Sequence, residues 1–232
     1  MITYQLNGDI TSKGKTLVYC GTNNGNSLRA LARQYETIYA FEPDPEMFAM
    51  CKGIMDGISG AHIFNLACSD KNGKATLYIT PNRVATSLGE SAAIWCPAGT
   101  PYGGDTGRYH PNDKSIKQVE VETINLGEFL KAKGVDTIDY YVSDCQGSDL
   151  TILRTMGDYL SQKKIKKLHL ETFADVQLYE GLDNKFSGFK AILEPNYQIE
   201  AIVLGRIGQI VTDEKDIPAE ELEWDTTWAV KP

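Results

Sequence analysis

The chain has 232 residues, 42% hydrophobic and 23% charged, with a formal net charge of −8; that suits one sizeable α/β domain and disfavours nucleic acid as a general partner, since neutralising phosphates needs a basic face. No apolar run approaches the ~20 residues of a membrane span, and Met1-Ile-Thr-Tyr-Gln-Leu6 lacks the basic and apolar regions of a secretion signal. Five cysteines at irregular spacing, with no C-x-x-C, argue against a disulfide framework or structural zinc and favour a reducing, cytoplasmic setting.

Residues 1–14 read as a polar lead-in. Lys15–Cys20 predicts a first strand, because Leu17, Val18 and Tyr19 form a short apolar run before Gly21. Leu28, Leu31, Ala32 and Tyr35 recur at helical spacing, which predicts a helix over Asn24–Tyr35 with Asn23 or Asn24 as its cap. Thr37–Phe41 predicts a second strand ending at Glu42. Pro45 suits the first turn of a helix running to about Gly57, and Ala61–Leu66 predicts a third strand. This alternation predicts a Rossmann-like, doubly wound, mostly parallel sheet with ligand-facing loops at the C-terminal ends of its strands.

Lys71-Asn-Gly-Lys74 signals a turn before a short strand over Ala75–Thr80. Residues 81–117 break the pattern and are rich in Gly, Pro and aromatics, which predicts an irregular insert or lid. Gln118–Thr123 then reads as a strand, Asn125–Lys133 as a helix and Thr137–Val142 as an apolar strand leading to Ser143-Asp144. Gly147–Leu160 reads as one helix, the basic run Lys163–Lys167 as its solvated end, and Lys167–Thr172 as a strand carrying Glu171. Residues 181–194 read as helical. Tyr197–Leu204 and Ile207–Val211 predict an antiparallel C-terminal hairpin, with Trp224–Val230 as a last strand. No repeat or linker divides the chain, so 1–232 reads as a single domain. An edge at the hairpin can pair two copies, but nothing in the sequence requires it.

The stretch Leu17-Val-Tyr-Cys-Gly-Thr-Asn-Asn-Gly25 and Glu42 form a device for holding a nucleoside. Glycines admit a ligand close to the backbone, a helix N-terminus offers N–H groups, and Glu42 can accept from both ribose hydroxyls. A dinucleotide motif is G-x-G-x-x-G, whereas this loop is G-x-x-x-G with Asn23 at the middle position. S-adenosylmethionine has no phosphate, and Thr22, Asn23 and Asn24 can bind its amine and carboxylate. The plainer alternative is that Gly21 and Gly25 only make a tight strand–helix turn.

Three separated stretches carry a resemblance to the FkbM-type S-adenosylmethionine-dependent methyltransferases, a class I Rossmann-like group. Cys20-Gly-Thr-Asn-Asn-Gly25 resembles D-V-G-A-N-x-G. Tyr39-Ala-Phe-Glu-Pro-Asp-Pro45 resembles Y-A-F-E-P-x-P. Asn65-Leu-Ala-Cys-Ser-Asp-Lys-Asn-Gly73 resembles N-x-A-L-S-D-x-x-G. Thr86-Ser-Leu88 resembles a short serine motif, Val121–Leu130 is similar to V-x-T-x-T-L-D-D-F-L, and Asp144-Cys-Gln-Gly-Ser-Asp149 to D-V-E-G-x-E. The likeness covers roughly 15–172. It implies S-adenosyl-L-methionine as cofactor, with Gly21, Thr22, Asn23, Asn24 and Gly25 at its methionine end. It places Glu42 at the ribose and Ala67, Cys68 and Ser69 near the adenine, with Pro43, next to Glu42, among the cofactor-binding residues. This chain departs from the family at Tyr19, where the family has Asp, at Val142, where it has Lys, and at Gln146, where it has Glu.

Methyl transfer to a hydroxyl requires alignment, exclusion of water and removal of a proton. Asp144, at the end of a central strand, is a candidate base, a candidate acceptor for the cofactor's amine, and a candidate cap for the following helix. Glu171 is a second candidate carboxylate. His169 shares its face and reads as a satisfied core residue, and His110 in the irregular loop is a further catalytic candidate. No acidic cluster with metal-ligand spacing is evident, so no metal is expected. The resulting expectation is O-methyl transfer to a hydroxyl of a sugar or glycan. The alternatives are a cofactor-binding member that has lost or changed its reaction and a nicotinamide oxidoreductase.

Overall fold

The computed structural model describes residues 15–80, 86–88, 116–175, 182–204, 209–219, 221 and 223–232. The lead-in, the start of the predicted 207–211 strand and most of the predicted lid, His110 included, lie outside them. In chain order the elements are β1 (Thr16–Cys20), α1 (Asn26–Ala32), β2 (Thr37–Phe41), α2 (Pro45–Ile54), β3 (Ala61–Phe64), β4 (Ala67–Ser69), β5 (Gly73–Ile79), β6 (Lys117–Asn125), α3 (Leu126–Ala132), β7 (Ile138–Ser143), α4 (Asp149–Thr155), α5 (Gly157–Ser161), β8 (Ile165–Phe173), α6 (Phe186–Leu193), β9 (Tyr197–Leu204), β10 (Gln209–Val211) and β11 (Glu223–Val230).

Leu17, Val18 and Cys20 of β1 are fully buried, as a strand flanked on both edges and covered on both faces requires. β1 runs parallel to β2 and to β7, and the main sheet has the order β10-β9-β11-β8-β7-β1-β2-β3. From β8 to β3 every neighbouring pair is parallel. β11 inserts between β8 and β9, antiparallel to both, and β10 forms the expected antiparallel hairpin with β9. On one face Leu17, Ile38 and Tyr140 pack with Leu28 and Leu31 of α1 and Cys51 of α2. On the other, Val18, Tyr141 and Leu168 pack with Leu130, Leu153 and Phe189 from α3, α4 and α6.

Several boundaries differ from the sequence reading. The helix after the glycine turn begins at Asn26, because Gly25 is left-handed (φ 86°) and is itself the N-cap; neither Asn23 nor Asn24 caps it. Asp44 caps α2 instead, accepting from the Glu46 and Met47 amides, with Pro45 at the first helical position. The third strand stops at Phe64. Ala67–Ser69, not expected as a strand, pairs parallel with Thr123–Asn125 in a second sheet, β4-β6-β5. The single helix expected over 147–160 divides around Met156. There the Thr155 hydroxyl turns back to the Ile152 carbonyl, and the Gly127 amide donates to that hydroxyl. The basic run is a turn and the start of β8 rather than a helix end. Lys164, Lys166 and Lys167 pair with Asp136, Asp139 and Glu200.

Candidate active site

The C-terminal ends of β1, β2 and β7 converge. The Gly21 and Thr22 amides donate to the Phe41 carbonyl, and the Asp144 amide donates to the Cys20 carbonyl. Gly21 is left-handed (φ 78°), and a Cβ there would stand 1.9 Å from the Asp144 carbonyl oxygen. Gly25 has the same constraint against α2, where a Cβ would come within 2.8 Å of Cys51 Sγ. The tight-turn reading of these glycines therefore holds for both, and Gly21 also borders the cavity described below.

Glu42 is 5% exposed. Its Oε2 accepts from the Asn23 amide (2.6 Å) and its Oε1 from the Asp44 amide (2.9 Å), so the carboxylate links the glycine turn to the head of α2. Each oxygen retains capacity for a further donor such as a hydroxyl. The Asn65 side chain fixes this corner by donating to the Glu42 and Pro43 carbonyls at 2.8 and 3.0 Å. Burial pushes the Glu42 carboxyl up to about 7, against the pull of its two amide donors.

A cavity of about 250 Å³ opens beside Glu42. Of the residues singled out from sequence, Gly21, Asn23, Glu42, Pro43, Ala67, Cys68 and Asp144 line it. Thr22, Asn24, Gly25 and Ser69 do not. Thr22 is buried against Cys51, Asn24 accepts from the Asn26 amide, and Ser69 donates to Asp70. Sequence reasoning missed the apolar wall of Phe41, Leu66, Leu77 and Leu88. Ser87, within the Thr86-Ser-Leu88 motif, also borders the cavity. Its backbone pairs with Tyr78, closing the cavity on the side of the second sheet.

Opposite Glu42 lies an acidic corner. Asp144 is exposed to the cavity and does not cap α4, whose N-cap is Ser148. Its carboxyl is raised above the ordinary range, first by desolvation from the surrounding protein and then by repulsion from Asp225. Glu171 is 3% exposed and reaches the cavity only through Gln146. The Gln146 amide nitrogen donates to Glu171 Oε1 at 2.6 Å and to Asp144 Oδ1 at 3.0 Å. Burial, followed by repulsion from Asp144, holds the Glu171 carboxyl well above its usual value. Asp149 is fully buried and braces the β7–α4 turn, accepting from Ser143 Oγ and the Cys145 amide. His169 is a satisfied core residue, with Nδ1 3.3 Å from Thr227 Oγ1 and Nε2 3.6 Å from Asp225. Two of the departures lie away from the cavity: Tyr19 and Val142 are buried in the layer beneath α1 and α2, where burial keeps the Tyr19 phenol neutral. Among the described residues no group of three or more His, Cys, Asp and Glu side chains is arranged to hold a metal ion.

Glu42, Asp149 and Glu223 all have carboxyls raised to about 7, in each case chiefly by burial. The folded chain keeps protons there that the unfolded chain releases near pH 4, so it binds more protons across that interval. These groups therefore contribute stability that is lost as pH rises from about 4 through 7. Thermal melts of the ligand-free chain are expected to give a lower Tm at pH 8 than at pH 5.5; a higher Tm at pH 8 would refute the assignment.

The sequence model of the FkbM methyltransferase domain matches residues 20–193. The chain is 27% identical over 171 residues to the 2-O-methyltransferase NoeI of Sinorhizobium fredii, covering 69% of this chain and 64% of that protein. Among solved structures, an rRNA methylase from Streptococcus thermophilus aligns with TM-score 0.47 and 10% identity over 96% of this chain and 90% of its own. TrmK of M. capricolum, solved with S-adenosyl-homocysteine, aligns with TM-score 0.45 and 14% identity over 95% and 64%. No helix among the described residues is long and apolar enough to cross a membrane.

Proposed function

The chain belongs to the FkbM methyltransferase family, and on that premise we propose that it methylates a hydroxyl oxygen of a sugar or glycan. S-adenosylmethionine is the donor and supplies a methyl group activated on a sulfonium. The observation that carries the reading is the single cavity bordered by the glycine turn, Glu42 and Asp144.

Glu42 receives the ribose hydroxyls on its two oxygens. Phe41, Leu66, Leu77 and Leu88, with Ala67 and Cys68, give the adenine an apolar slot. Gly21, Asn23 and Asp144 receive the methionine end. Asp144 is also the base: its carboxyl takes the proton from the acceptor hydroxyl, and its raised pKa brings it towards the operating pH. Glu171 stands behind it, linked through Gln146. An oxygen acceptor is supported by the printed activity of the NoeI relative, a 2-O-methyltransferase. A sugar is supported by the carboxylates facing the reaction side, which suit hydroxyl-rich rather than phosphate-rich acceptors. The net charge of −8 points the same way and disfavours nucleic acid.

Calorimetric titration with S-adenosylhomocysteine, beside NAD, tests the donor half. Micromolar binding of the first and none of the second is expected. Glu42→Gln should weaken that binding about tenfold or more, because a charge-assisted hydrogen bond is lost. Transfer of labelled methyl to hexose and deoxysugar glycans tests the acceptor half. Binding without transfer to any sugar hydroxyl would overturn the acceptor assignment, and binding of NAD alone would overturn the whole reading.

A further inference from the structure

Gln146 stands where the rest of the family motif leads one to expect a carboxylate, and the geometry gives the change a purpose. It lies in a left-handed conformation (φ 49°) at the turn after β7, on the cavity wall. Its Nε2 is 3.0 Å from Asp144 Oδ1 and 2.6 Å from Glu171 Oε1. Its backbone carbonyl accepts from Ser87 Oγ at 2.9 Å, which fixes the main chain to the opposite wall of the cavity. We propose that Gln146 is a positioning residue, whose side-chain amide spans Asp144 and Glu171 and holds the Asp144 carboxylate in place on the cavity wall. The inference rests on Asp144 acting as the base.

The chemistry of the position leaves little choice of side chain. One nitrogen lies within hydrogen-bond distance of an oxygen of each carboxyl group, and an amide nitrogen has two N–H donors to give without adding charge. The nitrogen end faces both groups, and turning the oxygen towards the ionised Asp144 would set two acceptors against each other. A Glu in its place supplies no donor when ionised and sets a further negative group beside Asp144. The field around Asp144 makes the donor matter. Asp225 and Glu223 face it from β11, Glu171 and His169 from β8, Asp149 and Cys145 from the β7–α4 turn, Tyr19 from β1 and Glu42 from β2. Among the described residues, the Gln146 amide and His169 favour the ionised form of Asp144.

The sign is fixed by which form the amide stabilises. It donates to the ionised carboxylate, so its loss raises the pH at which Asp144 ionises. Carbon-13 aspartate labelling reads that midpoint directly, with Asp144 assigned by its absence in Asp144→Asn. In both Gln146→Glu and the near-isosteric Gln146→Met the Asp144 midpoint is expected to move up by about one to two pH units. Methyl transfer should follow, with the acid limb of kcat/KM displaced by the same amount and kcat lowered at neutral pH. S-adenosylhomocysteine titration and thermal melts confirm that each variant is folded, and Gln146→Met serves where the extra charge of Gln146→Glu prevents folding. An Asp144 midpoint within 0.3 unit of the parent (about 0.4 kcal/mol) in a folded variant would overturn the inference while leaving Asp144 as base untouched. A midpoint that moves, with Asp144→Asn fully active, would overturn the base assignment and with it the catalytic purpose of the bridge.

Discussion

Asp144→Asn is expected to lower methyl transfer by about 10²–10⁴-fold, the range general-base catalysis supplies. The substitution keeps the size of the side chain and leaves the backbone bond from the Asp144 amide to the Cys20 carbonyl intact. The main sheet therefore has no reason to change. Asp144 has two assigned contacts, the acceptor's proton and the donor's amine, and the kinetics separate them. Loss of the base lowers kcat and leaves the donor's KM in place. Loss of the amine contact raises that KM and weakens S-adenosylhomocysteine binding in calorimetry. A mixed result assigns both roles. Full activity in the variant removes Asp144 from the chemistry and leaves Glu171, buried behind Gln146, as the other carboxyl candidate named from the sequence.

What the sequence disclosed is what local rules control. The run Leu17–Cys20 before a glycine, and Thr37–Phe41 before an acid, show their strands as short, largely apolar runs. Their C-terminal positions then place Gly21 and Glu42 at the sheet edge. Distant pairing was not legible. Ala67–Ser69 is three residues long and is a strand only because Thr123–Asn125 lies beside it, 56 positions on. β11 enters between β8 and β9, a placement no local pattern encodes. The site divides in the same way. Asn23 reaches the cavity while its neighbours Thr22 and Asn24 turn away, because the left-handed turns at Asn23 and Gly25 redirect successive side chains. Gln146 was visible as a departure from a motif, but its donor role depends on Glu171, 25 residues later in the chain.

Gly21→Ala is expected to be the most damaging single methyl group in the site. At φ 78° an L-residue is strained before any neighbour is counted. The added carbon would also stand 1.9 Å from the Asp144 carbonyl oxygen and 2.8 Å from its carbonyl carbon. Both atoms are backbone, so no rotamer relieves the clash and the end of β7 must move away from β1. That movement strikes the Asp144 amide bond to the Cys20 carbonyl and displaces the candidate base along with it. A loss on the order of 4 kcal/mol is expected in denaturant unfolding, at the upper end of point-mutant effects. Gly53→Ala is the control. Gly53 lies within α2, and a Cβ there meets nothing within 4 Å. That change should stabilise by about 0.5–1 kcal/mol, since alanine lowers the backbone entropy of the unfolded chain. If Gly21→Ala unfolded at the parent's denaturant midpoint, the close approach of β1 and β7 would be wrong. The convergence of Gly21, Glu42 and Asp144 on one cavity would be wrong with it, because that convergence depends on the two strand ends being too close to admit a side chain.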